Sequence, residues 1–503
     1  MNAQPRNRAS RSRLRALSAA LVVVTTSAGA ARAQTASPPA GAPPAAPEAA
    51  PPAPPPALAA PPPAVAPAMP TETGVIASLY GFVELDMMHD STQSFTEAIT
   101  NSMMARPGTL AGDNPRTQFT ARDSRVGLAL AAPAYGSIRT SARVEVDFFG
   151  NQAPGATEDA TYSAAALRLR HALVKFETPV LDVLAGHTND LFAWGGAGFY
   201  PNTVGFLGVP GEIYHRDPQL RLSKVLSGSS VTFEMAAAAV RPAQRDAEIP
   251  DGQGGLRIAF ERWRGTSAQG AGLPKAAPAS LGVSGIYRRF SVPAFTASQA
   301  NPNKANGWGA AVNLFLPIIP ASSPADLGNT LSATAEATIG TGISNLYTGL
   351  TGGVAFPALP NPSMLLPVPV YSGDIDPGLV TYDANGKLRT VSWRALVLCL
   401  QYRAPFGMGR KLGLSAVASQ LESTNIVALT PMQGLSQVFS KAQYVDGNVF
   451  FSPTPQSQIG ASVQLERQTF GDVVTYADAA GNVSSHNVYG NNVRGELAVY
   501  YFF

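Results

Sequence analysis

The sequence predicts an all-β protein: a 16-stranded antiparallel transmembrane β-barrel with short periplasmic turns and long extracellular loops. Three observations lead there. Apolar and polar residues alternate with a period of two from about residue 78 onward, and the connections between these runs are alternately short and long. The chain also opens with a secretory leader, yet nothing after it supplies the run of roughly 18 apolar residues that a membrane helix needs. A chain that leaves the cytoplasm for a membrane without such helices must cross it as a closed barrel, because lipid satisfies no backbone polar group.

The leader spans residues 1–34. Arg6, Arg8, Arg11, Arg13 and Arg15 form a basic start, "ALSAALVVVTTSAGA" an apolar centre, and "ARA" before Gln34 a small-residue cleavage site. Residues 35–75 are mostly Ala and Pro, a composition that denies the backbone both helix and ladder and reads as a semi-rigid periplasmic linker. The barrel domain is residues 76–503. Charged residues are 14 % of the chain, below the roughly 25 % of soluble domains. Mean hydropathy is nonetheless neutral at +0.04, so apolar and polar groups must interleave. The net charge of +3 falls further once the basic leader is removed, and no nucleic-acid partner is implied. Cys399 is the only cysteine and lies in the apolar run "ALVLCLQY", as a buried thiol with no disulfide to form.

In order along the chain, strands are expected near 78–90, 122–133, 136–150, 166–178, 181–190, 218–227, 229–240, 256–264, 278–290, 306–318, 331–340, 390–404, 411–421, 440–452, 457–470 and 492–503. The run "GSIRTSARVEVDFFG" shows why: Ile138, Thr140, Ala142, Val144 and Val146 share one face, and Arg139, Ser141, Arg143, Glu145 and Asp147 the other. "PAYG", "TPV", "SGS", "PFGMGR" and "SPTPQ" are turns, and they alternate with long segments at 91–121, 191–217, 341–389 and 472–490. An even strand number puts both chain ends beside the short turns, on the periplasmic side where the linker must be.

"LYGFVELDMMHD" as first strand, "DSRVGLAL" as second, "LRLRHALVKFE" and "LAGHTNDLF" as fourth and fifth, and the terminal Phe503 resemble the DcaP-like trimeric outer-membrane porins. The resemblance implies a homotrimer of barrels in outer-membrane lipid and lipopolysaccharide, passing small solutes that are often anions. It also implies an infolded third loop, and early strands at the trimer contact. The terminal "VYYFF", with Val499, Tyr501 and Phe503, resembles the signal read by the barrel assembly machinery; an interfacial aromatic girdle accounts for the same residues. The helical coiled coil that precedes some barrels of this group has no counterpart in the Pro-rich stretch.

With the polar face inward, the candidate pore-lining and solute-binding residues are Arg125, Arg139, Arg143, Arg168, Arg170, Arg221, Arg257 and Arg494, with Glu84 and Asp86. Guanidinium groups stay charged and fork toward carboxylates, so a ladder of them offers an anion successive weak sites. The competing reading is a wall of structural ion pairs, Arg125 with Glu84 or Asp86 for example. Phe192, Trp194, Phe199, Tyr200 and Phe206 make segment 191–217 the expected constriction loop, since such aromatics are wasted on an exposed loop. His171 and Lys175 fall in the outward phase of their strand, which calls for a trimer contact, a register error or a β-bulge. The five histidines show no metal spacing, no nucleophile motif stands near a base, and neither cofactor nor enzymatic activity is expected. The expected function is outer-membrane diffusion of small hydrophilic solutes with a lean toward anions such as dicarboxylates. The alternatives are a carbohydrate or unselective porin, or a structural barrel tethered to the cell wall.

Overall fold

Strands whose two faces differ in polarity have to close on themselves if the apolar face is to point outward, and these do. In the computed structural model the described residues are 69–70, 74–97, 103–152, 157–195, 202–204, 208–244, 247–268, 272–292, 303–323, 326–350, 378–383, 387–405, 411–430, 432–477 and 483–503. The leader and nearly all of the linker lie outside them. The strands are β1 (Ile76–Asp90), β2 (Arg116–Thr120 and Arg125–Ala131), β3 (Arg139–Asp147), β4 (Arg168–Glu177), β5 (Asp182–Asn189), β6 (Arg216–Ser227), β7 (Val231–Val240) and β8 (Asp251–Ser267). They continue as β9 (Lys275–Val292), β10 (Asn303–Ile319), β11 (Thr330–Thr341), β12 (Ser392–Arg403), β13 (Leu412–Ser423), β14 (Phe439–Thr454), β15 (Ser457–Ala477) and β16 (Val483–Phe502). Each pairs antiparallel with its sequence neighbour, and β2 counts once because both its segments lie along β1, giving a closed 16-stranded barrel.

Closure is made by the last strand on the first, with Phe82 opposite Phe502 and Asp90 opposite Arg494. Beyond the ladder, Gly81 N donates to Phe503 O at 3.0 Å and Phe503 N to Gly81 O at 3.1 Å, which leaves neither edge free. The outward residues are apolar around the barrel, with Leu85 (46 % exposed) and Val499 (44 %) side by side at the seam and Val283 (45 %) and Leu398 (46 %) on β9 and β12 as examples. An exposed belt of that extent is intolerable in water. Among the described residues no helix is long and apolar enough to cross a membrane.

All sixteen expected strands are present, although β2 already begins at Arg116, inside the segment 91–121 expected as loop, and three larger differences stand out. β15 and β16 continue to Ala477 and from Val483, so 472–490 is mostly a tall hairpin, and the long–short alternation breaks there. Residues 483–487 are exposed on both faces, and a strand wet on both sides carries no period-2 signal. The second difference is a bulge: Glu145 stands opposite His171 while Val146 stands opposite Leu169, with Arg170 as the extra residue. The bulge flips the phase of β4, so His171 and Lys175 face inward, Lys175 against Glu177 (2.7 Å) and Asp182 (3.1 Å). Of the three explanations for their phase, the bulge is the one observed.

The third difference is in the lumen. Its lining is not polar throughout: Trp393, Val397 and Cys399 of β12, Val417 of β13 and Tyr444 of β14 point inward and are buried. They pack with Val209 and Ile213 from the loop after β5 and with Ile343, Leu346 and Tyr347 from the loop after β11. Apolar residues on both faces of β12 are explained by lipid-type exposure on one side and by these two loops on the other.

Candidate functional site

The inward faces of β2, β3 and β4 bring three arginines onto two carboxylates, with a fourth, Arg143, on the same wall. Arg168 donates to Asp147 through Nε (2.9 Å) and Nη2 (2.6 Å). Arg170, the extra residue of the bulge, donates to Glu145 (2.8 Å) and Asp147 (2.9 Å) and its Nη2 to the Tyr214 hydroxyl (2.7 Å). Arg125 Nε lies 3.4 Å from Glu145 Oε1, with its Cζ 5.1 Å from the Phe82 ring centre. The expected partners Glu84 and Asp86 are therefore not the ones Arg125 takes; β3 offers a carboxylate within reach on its other side. Arg143 makes no ion pair among the described residues. Arg170 is fully buried under this network, while Arg125 and Arg168 keep 18 % and 31 % of their side chains exposed to the lumen.

Tyr214 and Arg216 enter this cluster without a signal that the sequence made visible. Arg216 Cζ sits 4.8 Å from the Tyr214 ring centre. Burial alone would raise the Tyr214 phenol, but the guanidiniums of Arg170, Arg216 and Arg125 outweigh it and bring it down to about 7. Tyr214 lies in the tail of a loop, beyond the reach of strand periodicity, and Arg216 is the first residue of β6, ahead of the strand expected from residue 218.

Glu84 and Asp86 of β1 do face inward, but they are buried, at 0 % and 2 % exposure. Asp123, in the break between the two segments of β2, is buried beside them, and Ser124 Oγ from the same break accepts from Glu84 N (3.0 Å). The remaining predicted arginines are tied down. Arg139 pairs with Glu177 (2.9 Å) at the turn end, Arg257 grips Glu234, and Arg221 donates to Asn189 O (2.6 Å). Arg494, 1 % exposed, holds Asp90 (2.8 Å) and the carbonyls of Thr96 and Glu97, anchoring the first long loop.

The segment after β5 enters the lumen. Leu191 N and Phe192 N both donate to Gln253 Oε1 of β8 (2.7 and 2.8 Å), and Ala193 N to Ser284 Oγ of β9 (2.8 Å). Phe192 fills the space left by Gly309 of β10, where a Cβ would stand 2.8 Å from its ring. Trp194 lies over Gly255, 6.0 Å from Arg257 Cζ. On the far wall, Val204 N donates to Asn448 Oδ1 of β14 (2.9 Å) and Tyr500 Oη of β16 donates to Val204 O (3.2 Å). The loop therefore crosses from β5 to β14 and β16. Phe199, Tyr200 and Phe206 lie outside the described residues.

The return limb is fixed by buried carboxylates. Ile213 N donates to Glu336 Oε1 of β11 (2.8 Å), and Asn313 Nδ2 to the other oxygen (2.9 Å). Glu212 accepts from Val209 N (3.2 Å), and its carbonyl accepts from Thr348 N (2.8 Å) at the start of the loop after β11. Burial, reinforced by the nearby Glu336, pushes the Glu212 carboxyl well above the usual range. The described start of that second loop, 342–350, is thus also inside the barrel, docked on the first; of the remainder of the expected long segment 341–389, residues 351–377 and 384–386 lie outside the described residues, and Val380–Tyr382 pairs antiparallel with Leu388–Thr390.

No protein-family model and no curated protein matches the sequence. Among solved structures, the outer membrane channel DcaP of Acinetobacter baumannii is similar over 86 % of this chain and 99 % of that one, with 16 % identity and a TM-score of 0.57. OmpT of Vibrio cholerae in its trimer form (10 % identity, 85 % and 99 % covered, TM-score 0.45) is a more distant likeness. The anion-selective porin from Comamonas acidovorans is another (9 % identity, 85 % and 100 % covered, TM-score 0.45). Residues 76–503 of this chain therefore have the fold of the 16-stranded outer-membrane channel, the fold of DcaP.

Proposed function

We propose that the chain is an outer-membrane porin through which small hydrophilic solutes diffuse, with a preference for anions such as dicarboxylates. The observation that carries the preference is the group Arg125, Arg143, Arg168 and Arg170 around Glu145 and Asp147 on three adjacent strands, where the infolded loop narrows the lumen. A permeating carboxylate would meet guanidinium forks left partly open to the lumen. The mature barrel stands in outer-membrane lipid and lipopolysaccharide, inserted by the barrel assembly machinery through Val499, Tyr501 and Phe503. It assembles as a homotrimer, with residues 35–75 as a periplasmic linker behind the removed leader.

The apolar contact between the two infolded loops and β12–β14 favours a second reading, a mainly structural barrel with a filled lumen. Single-channel recording of the purified protein separates the two. Discrete conductance steps, with a reversal potential in a salt gradient on the anion side, support the porin. A folded barrel that conducts nothing sinks it, and a reversal potential near zero leaves an unselective or carbohydrate pore.

A further inference from the structure

Asp190, His215 and Asp217 sit where the constriction loop leaves β5 and rejoins β6. Asp190 N donates to His215 O (3.1 Å), so the two roots of the loop are already in contact there. His215 Nδ1 lies 3.3 Å from Asp190 Oδ2 and 3.2 Å from Asp217 Oδ2, and the three donor atoms are all within 4.8 Å of one another. An ion held about 2.0–2.1 Å from each donor in tetrahedral geometry separates the donors by about 3.3 Å, close to these two distances. Asp190 Oδ1 is buried and has no hydrogen-bond partner among the described residues, while its side chain is only 2 % exposed. An oxygen left that way is costly unless something cationic sits beside it. His215 keeps a quarter of its side chain exposed, which leaves an entry path. Gln253 Nε2 donates to Asp190 Oδ2 (3.3 Å) from β8, orienting the carboxylate from behind as outer-shell partners of ligands do.

We propose that Asp190, His215 and Asp217 form a binding site for a divalent transition-metal ion of the zinc type, which clasps the two roots of the constriction loop. One imidazole with two carboxylates suits zinc and its neighbours; calcium and magnesium take all-oxygen shells. The site is independent of which solute the barrel passes. The competing occupant is a proton on His215 Nδ1 shared between the two aspartates.

The test uses the full-length refolded protein, stripped with chelator and dialysed against Zn²⁺, with bound zinc measured by elemental analysis. About one ion per chain is expected, and binding at least roughly tenfold weaker in His215→Ala and in Asp217→Asn. His89→Ala, an exposed histidine elsewhere, should leave binding unchanged. Absence of stoichiometric zinc, or full retention of it in His215→Ala, overturns the site and leaves the proton as occupant. Should the variants fail to fold, X-ray absorption of wild-type protein loaded with Zn²⁺ decides: one imidazole among oxygen ligands supports the site, and none or several overturns it.

Discussion

Replacing Arg143 and Arg168 together by alanine tests whether permeating ions feel the arginine group. The four arginines and two carboxylates on β2–β4 carry a net charge of +2, and the double variant brings this to zero. Neither carboxylate is orphaned, because Arg170 still holds Asp147 at 2.9 Å and Glu145 at 2.8 Å. At about 7 Å from the ion, one charge in water contributes about 0.6 kcal/mol, and screening at 0.1 M salt roughly halves it. Two charges thus contribute about 0.6 kcal/mol, close to RT, favouring anions and disfavouring cations by nearly threefold each. The anion-to-cation permeability ratio, read from reversal potentials, should fall about sevenfold at 0.1 M salt. At 1 M, where the Debye length is about 3 Å, it should barely change. A double variant that folds, judged by heat-modifiable electrophoretic mobility, and keeps the wild-type ratio at low salt refutes the reasoning: those guanidiniums would then be structural.

Deleting Phe503 removes the two backbone bonds to Gly81, about 1 kcal/mol each, at the seam that closes the barrel. The yield of folded barrel in a refolding assay should drop sharply, with the conductance of what does fold unchanged. Glu212 has a folded-state pKa above its ordinary 4.5, so its contribution to loop docking is complete below that pH and is lost as pH rises through the raised value. Hydrogen exchange at 209–213 should therefore quicken with pH beyond the intrinsic base dependence, and Glu212→Gln should remove that excess; an equal excess in the variant counts against the assignment. Cys399, 2 % exposed beneath the infolded loops, should resist a water-soluble maleimide in folded protein and react fully in denaturant. Rapid labelling of the folded barrel would show that the lumen beside β12 is open.

The legible part of this protein was whatever obeys a period of two. "NNVRGELAVYYFF" places Leu497, Val499 and Tyr501 outward and Arg494 inward, and the barrel has them so. The infolding of the segment after β5 was legible for a different reason, since Phe192 and Trp194 would be wasted on an exposed loop. Left open by the sequence was the single-residue bulge at Arg170, one of three explanations for the phase of His171 and Lys175; hidden from it was the top of the β15–β16 hairpin, wet on both faces.

Strand number, polarity of the outer face and closure of the last strand on the first were settled by local pattern, because each depends on how a residue differs from its neighbours two places away. The pairing of Arg125 with Glu145 and not Glu84, the apolar side of the lumen, and the meeting of Asp190, His215 and Asp217 at one loop root were settled only by the fold. These depend on distances across the lumen and between loop ends. A periodicity measured along one strand holds no information about what a loop from another strand will bring against it.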